Sequence, residues 1–81
     1  MAVPDEVKLV ADRFGARLVQ LRGDAGISQM QLAKLCGVSQ AAVSQYEKGT
    51  SLPGWDIVLA LASALGVSAA AFQVAADKPA E

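Results

Sequence analysis

The sequence contains no histidine and a single cysteine, Cys36. Without a second cysteine the chain cannot form an intramolecular disulfide, and without histidine it lacks the commonest metal ligand and general base. No carboxylate pair, phosphate-binding loop or activated nucleophile can be assembled from the remaining residues. These absences argue against an enzyme, a metalloprotein and a disulfide-stabilised domain, and we expect no cofactor and no metal.

Long uninterrupted apolar runs are also missing. A membrane-spanning helix needs about 20 predominantly apolar residues, and polar residues and glycine interrupt the nearest candidate, residues 57–76. The first residues include Pro4, Asp5 and Glu6, where a secretory signal would carry positive charge before an apolar core. We therefore expect a soluble cytoplasmic protein.

What the sequence does contain is typical of one small helical domain. The chain has 81 residues, of which 53% are apolar and 19% charged, so it can fold around one core but not two. This apolar content argues against disorder, and the abundance of alanine favours helices over strands. The sequence predicts an all-α domain.

The net charge of −1 conceals an uneven distribution. Residues 13–50 hold five cationic side chains and two acidic ones, while each flank carries three acidic residues and one lysine. The overall sign is unfavourable for binding nucleic acid, but the centre of the chain is locally basic.

Start and stop signals divide the chain into five helical patterns. The first has Phe14, Leu18 and Leu21 on one face and is compatible with a start as early as Asp5. The second opens at Ser28 with a Ser-x-x-Gln capping box and ends at Cys36. The other three are expected at 39–48, 55–65 and 69–75. We divide the chain into an N-terminal extension that could be helical (1–12), a domain (13–75) and a disordered tail (76–81).

Residues 28–48 form a compact two-helix pattern around one glycine. Gly37 permits a tight turn with positive φ, and the small side chain of Ala33 lets two helices approach closely. The inner faces are apolar: Leu32, Cys36, Val38, Val43 and Tyr46. The outer face of the third helix is then short and uncharged, and it consists of Gln40, Ala41, Ser44 and Gln45.

This pattern resembles the helix-turn-helix domain of phage repressors and Cro-type regulators, the Xre family. The resemblance covers roughly residues 13–73 and rests on these segments: Leu21-Arg22, Ile27-Ser28-Gln29, Leu32-Ala33, Gly37-Val38-Ser39, Tyr46-Glu47-Lys48-Gly49, Pro53 and Ala64-Leu65-Gly66-Val67-Ser68. It implies a compact five-helix bundle of the lambda-repressor type whose third helix enters the DNA major groove. It also implies a protein encoded by a bacterium or a phage.

The resemblance also implies roles for single residues. The residues that match base-contacting positions are Gln40, Ala41, Ser44 and Gln45. Phosphate contacts are expected at Gln29, Ser39, Lys48 and Thr50. Arg22 and Glu47 match a partly buried structural ion pair that joins the first helix to the third. Many relatives carry a basic residue where this chain has Gln45 and in the loop where it has Thr50, so few phosphates would be neutralised and a single copy should bind weakly.

The fourth and fifth helical patterns are almost free of charge. Such a surface is either an ordinary alanine-rich face or a contact with a partner. We predict a homodimer contact through Ile57, Leu59, Ala60 and Ala64, and we expect Trp55 to anchor the core or its rim.

The sequence thus predicts a DNA-binding transcriptional regulator, a repressor that binds double-stranded DNA at a near-palindromic operator as a dimer and is nucleoid-associated when bound. The alternative is an antitoxin or adaptor whose main role is to bind a protein partner, such as a toxin or co-regulator, through its fourth and fifth helices. The sequence does not identify the operator, the regulated genes or an inducer.

Overall fold

The computed structural model describes residues 5–72, which form four α-helices and one short 3₁₀ helix. The α-helices are α1 (Asp5–Ala25), α2 (Gln29–Cys36), α3 (Gln40–Lys48) and α4 (Trp55–Leu65). The 3₁₀ helix spans Ala69–Phe72. Helix α1 runs without a break through the boundary at residue 12, and the described residues contain no strand. The predicted all-α architecture is confirmed.

The prediction of a fifth α-helix at 69–75 is wrong for its first four residues. They form a 3₁₀ turn in which the Ala71 N–H donates to the Ser68 carbonyl oxygen at 2.9 Å. Arg17 Nε donates to the Ala71 carbonyl oxygen at 2.8 Å, so this oxygen is engaged by α1. Phe72 stacks on Phe14 with ring centroids 5.0 Å apart. Residues 73–75, and the predicted tail at 76–81, lie outside the described residues.

Local side-chain chemistry explains where α2 and α3 begin and end. Ser28 Oγ accepts the Gln31 N–H at 3.0 Å and Gln31 Oε1 accepts the Ser28 N–H at 2.7 Å, so the capping box of α2 is complete. Ser39 Oγ accepts the Ala42 N–H at 3.0 Å at the start of α3. Gly37 and Gly49 end these helices with φ of 73° and 78°, values that favour glycine.

The core lies where all four helices and the 3₁₀ helix meet. Four side chains are completely buried in it: Leu18, Leu32, Val43 and Leu61. The predicted inner residues Leu32, Ala33, Val43 and Tyr46 are buried, while Cys36 and Val38 are partly buried against them. Replacing a completely buried leucine with alanine should lower the free energy of unfolding by about 2–5 kcal/mol.

Trp55 does not lie in the core, but at its rim it lines a groove with the core residues Phe14 and Phe72. Trp55 is the first residue of α4, and 66% of its surface is exposed. The inward face of this helix is instead taken by Val58, Leu61, Ala62 and Leu65. Position 55 precedes Val58 and Leu61 by three and six residues, but at the start of the helix the indole is only partly covered.

None of the helices between residues 5 and 72 is both long enough and apolar enough to span a lipid bilayer.

Candidate DNA interface

The outward face of α3 presents two unengaged amides. Gln40, Ala41 and Gln45 are exposed, and Ser44 is half-buried between them and the core. Neither Gln40 nor Gln45 makes a side-chain hydrogen bond to any other residue in the range 5–72. Each amide can therefore offer both a donor and an acceptor to an incoming molecule, in a stripe spaced i, i+1, i+4 and i+5.

Ser39 lies exposed at the N-terminal end of this face. Its Oγ accepts the Ala42 N–H, so its oxygen is used for capping while its hydroxyl hydrogen is available for another acceptor. The positive end of the α3 dipole lies at the same place, which favours a negatively charged group there.

Lys48 and Thr50 lie at the opposite end of α3. Lys48 is exposed in the last turn of the helix. Thr50 is exposed too, and its Oγ1 donates to the Gln45 carbonyl oxygen at 3.2 Å, so its hydroxyl proton is engaged in ending the helix. Thr50 and Ser51 line a shallow groove together with Lys8 of α1.

Gln29 is half-buried at the first position of α2. Its Nε2 donates to Glu47 Oε1 at 2.8 Å, so a residue expected to contact phosphate is already hydrogen-bonded within the protein. This hydrogen bond links the start of α2 to the end of α3.

Arg22 completes this connection between helices. Arg22 Nε donates to Glu47 Oε2 at 2.6 Å, and Nη2 donates to Oε1 at 3.3 Å. Nη1 donates to the Ile27 carbonyl oxygen at 3.0 Å. The hydrogen bond to Glu47 raises the pKa of the Arg22 guanidinium, and the Glu47 charge acts in the same direction. One ion pair therefore joins α1 to α3, and Gln29 joins α2 to the same carboxylate.

The four residues predicted for a dimer contact do not form one open surface. Leu59 is 47% exposed. Ile57 and Ala64 are partly buried against the protein's own core, and Ala60 is half-buried. Trp55 lies one helical turn before Leu59, so these two form the exposed apolar stripe of α4.

Sequence reasoning missed three residues that shape the region around this interface. Arg17 holds the 3₁₀ helix through the Ala71 carbonyl. Gly15 is buried where α1 crosses the end of α3. Lys8 was counted with an acidic flank, although it lies beside the loop that follows α3. The positions of these residues relative to the interface are seen only in the folded structure, because their partners are far away in the chain.

No group of three or more potential metal ligands occurs among the described residues. The exposed part of α3 and its two ends offer amides, hydroxyls and a cation, which is the chemistry of groove and phosphate recognition.

The comparisons with known proteins agree with this geometry. The sequence profile described as "Helix-turn-helix domain" matches residues 13–74, and the chain belongs to this family. A search of curated protein sequences found no match.

Several solved structures have the same fold. The restriction-modification controller protein C.AhdI from Aeromonas hydrophila has a TM-score of 0.76 and 33% identity over 78% of this chain and 96% of its own. The P22 c2 repressor, solved with a synthetic operator, has a TM-score of 0.69 and 36% identity over 73% of this chain and 89% of its own. The clp gene regulator ClgR from Corynebacterium glutamicum has a TM-score of 0.75 and 28% identity over 78% and 67%.

These neighbours are a controller, a repressor and a gene regulator, and the resemblance to phage repressor and Cro-type regulators is confirmed. The fold is of the lambda-repressor type, and the protein is a helix-turn-helix DNA-binding regulator of the Cro/C1 type.

Proposed function

We propose that this protein is a sequence-specific transcriptional repressor that binds a near-palindromic operator as a dimer, with α3 in the major groove. The observation that carries the proposal is the pair of unengaged amides at Gln40 and Gln45 on the exposed face of α3. A helix surface that needed only solvation could carry any polar residue, but two amides in one stripe can pair with base edges.

The chemistry of this face favours adenine and thymine. A glutamine amide can donate and accept toward the N7 and N6 edge of adenine, and the Ala41 methyl can pack on a thymine methyl. Each good bidentate contact discriminates by about 1–3 kcal/mol. Ser44, half-buried beside these residues, can contact a base only at close approach, so Gln40 and Gln45 carry most of the proposed discrimination.

Phosphate contacts would flank this face on both sides. At the N-terminal end of α3 the proposed donor is the Ser39 hydroxyl. Gln29, which is bonded to Glu47 near the C-terminal end of α3, offers its second Nε2 hydrogen there. At the C-terminal end of α3 Lys48 supplies a charge. Thr50 could donate its hydroxyl proton to a phosphate only after its hydrogen bond to the Gln45 carbonyl oxygen breaks. Lys8 adds a cation beside Thr50. This set neutralises few phosphates, so one copy binds weakly.

A two-fold dimer would double these contacts. The third helices of two copies would then lie about 34 Å apart, one turn of DNA, which makes a near-palindromic site the matching operator. The exposed stripe of Trp55 and Leu59 supports α4 as the contact, with Ala60 beside it. Ile57 and Ala64 would contribute less, because they already pack against the core of their own chain. The operator complex of the P22 c2 repressor supports duplex DNA as the partner.

The same stripe favours a second candidate function, in which a different protein covers Trp55 and Leu59. An antitoxin or adaptor would use α4 in this way and would bind DNA as a secondary activity. Co-purification of a second polypeptide with this chain would favour that role.

Selection of bound DNA from a random duplex pool, at low and at moderate salt, tests the proposal. We expect enrichment of a two-fold symmetric site that contains A·T pairs, with weaker recovery as the salt concentration rises. Failure to enrich any sequence at low salt would overturn sequence-specific binding. Enrichment of an asymmetric site of one half-site length would overturn the dimer.

A further inference from the structure

The hydrogen bond between Gln29 and Glu47 leaves the Gln29 amide half used. A primary amide nitrogen carries two hydrogens, and Gln29 Nε2 donates one of them to Glu47 Oε1 at 2.8 Å. No other hydrogen bond of the Gln29 side chain occurs within residues 5–72. One N–H is therefore fixed inside the protein, and the second is free at the N-terminus of α2.

The acceptor of this bond is itself held in place. The Glu47 side chain is only 6% exposed, and both of its oxygens accept from the Arg22 guanidinium. Arg22 is anchored in turn by its bond to the Ile27 carbonyl oxygen, just before α2. The carboxylate has little freedom to turn, so Gln29 is bound to a rigid partner.

We propose that Glu47 is a positioning residue for DNA binding, which holds the Gln29 amide so that its second N–H donates to a phosphate. The inference rests on the proposed function, because it assumes that α3 enters the major groove and brings a phosphate to the start of α2. A donor oriented before binding loses less rotamer freedom when the complex forms.

Arg22 has a necessary part in this arrangement. A carboxylate next to a phosphate repels it, and Glu47 would weaken DNA binding if its charge were uncompensated. The guanidinium bound to both Glu47 oxygens supplies the compensating charge at the closest distance available. The pair thus holds Gln29 while presenting almost no net charge to the DNA.

The proposal is tested by a double-mutant cycle on DNA affinity with Gln29→Ala, Glu47→Gln and the double variant. After Glu47→Gln the new amide offers one acceptor oxygen in place of two, and Arg22 competes for it. Removing the Glu47 charge also leaves the Arg22 charge uncompensated, which strengthens DNA binding by a similar factor in both backgrounds. The cycle isolates the remaining effect, and we expect Glu47→Gln to lower operator affinity about tenfold more when Gln29 is present than in the Gln29→Ala background. The loss should be equal for operator and unrelated DNA, because phosphate contacts do not read sequence.

A purely structural role for Glu47 would give the same change in affinity in both backgrounds and would overturn the proposal. An unchanged affinity in Gln29→Ala would overturn it as well, since Gln29 would then contact no phosphate. Both results leave sequence-specific binding intact if the unaltered protein still selects an operator. If the unaltered protein selects none, it is the proposed function that fails.

A second measurement needs no variant and applies even if Glu47→Gln unfolds the domain. The two side-chain hydrogens of Gln29 can be followed by NMR in the free protein and in its operator complex. We expect one hydrogen to keep its shift, because it stays on Glu47, and the other to move on DNA binding. Movement of both hydrogens to values typical of a released amide would overturn the proposal.

Discussion

Gly15 of α1 lies directly against the carbonyl oxygen of Glu47 in α3. A β-carbon at position 15 would come within 2.5 Å of that oxygen and 2.6 Å of the Tyr46 carbonyl oxygen, closer than real β-carbons come to such atoms. The backbones of α1 and α3 are therefore in direct contact here, because Gly15 has no side chain to separate them. This contact fixes the distance between α1 and α3. It therefore also fixes the position of the α3 face that carries Gln40 and Gln45.

Replacing Gly15 with alanine should both destabilise the domain and weaken DNA binding. The added methyl meets backbone atoms, which cannot move aside as a side chain can, so α3 must shift. Overpacking of this kind lowers the free energy of unfolding by about 1–3 kcal/mol. Urea denaturation and operator affinity of Gly15→Ala measure the two effects.

Gly23→Ala is the matched control, because Gly23 lies in the same helix and a β-carbon there would meet nothing within 4 Å. It should raise the free energy of unfolding by about 0.5–1 kcal/mol and leave the operator affinity unchanged. Equal stability changes in the two variants would contradict the account of the α1–α3 contact.

The base-reading assignment predicts a loss of sequence preference without a loss of stability. Gln40→Ala and Gln45→Ala remove exposed amides that have no partner within residues 5–72, so the melting temperature should change little. Discrimination between operator and altered sites should fall by about 1–3 kcal/mol for each amide that pairs bidentately. Competition binding against single-base operator variants measures this. Ser63→Ala, on the exposed face of α4, should alter neither property.

The helix ends could be predicted from sequence because short-range chemistry determines them. Ser28 and Gln31 are three residues apart, and their two reciprocal hydrogen bonds require nothing beyond the first turn of α2. Gly37 and Gly49 end their helices because positive φ favours glycine wherever it occurs. Local patterns of this kind are readable in a single chain.

Features that depend on distant partners could not be predicted in the same way. Arg17 and Ala71 are 54 residues apart in the chain. The sequence around neither residue indicates that the Arg17 side chain bonds the Ala71 carbonyl oxygen of the 3₁₀ helix. Trp55 is apolar in a helical pattern, but its exposure depends on which elements reach the start of α4. Gln29 was expected to face phosphate, and its bond to Glu47 depends on how α2 and α3 cross.

Lys48 should contribute affinity without specificity. It is exposed in the last turn of α3, and removing its charge should weaken binding to operator and unrelated DNA alike. The slope of log affinity against log salt should become less steep by about 0.9 if one phosphate is neutralised. Lys34→Gln, on the exposed side of α2 and five residues after Gln29, makes the same charge change as Lys48→Gln and should affect the slope less. An unchanged salt slope in Lys48→Gln would show that Lys48 contacts no phosphate.

Cys36 should react slowly with thiol reagents in the folded state. Burial raises the pKa of its thiol, so at any given pH the folded protein holds less thiolate than the unfolded chain. The stability that the buried neutral thiol contributes is fully present below the thiol pKa of the unfolded chain. It is lost as the pH rises through the thiol pKa of the folded protein. Alkylation by iodoacetamide should therefore be slower in native buffer than in urea, and Cys36→Ala should lose less stability at alkaline pH. Equal rates in buffer and urea would contradict the role of burial.

The dimer contact is tested by placing charge on the exposed stripe of α4. Leu59→Glu puts a carboxylate at the centre of the proposed interface, where the partner would have to desolvate it. Sedimentation at micromolar concentration should show the unaltered protein as a dimer and Leu59→Glu as a folded monomer with weaker operator binding. Val19→Glu, on α1 and outside the proposed contact, places the same charge on an apolar residue that is 44% exposed and should change the oligomeric state less. An unaltered protein that sediments as a monomer, also on its selected operator, would remove this surface from DNA binding and leave it to a different protein partner.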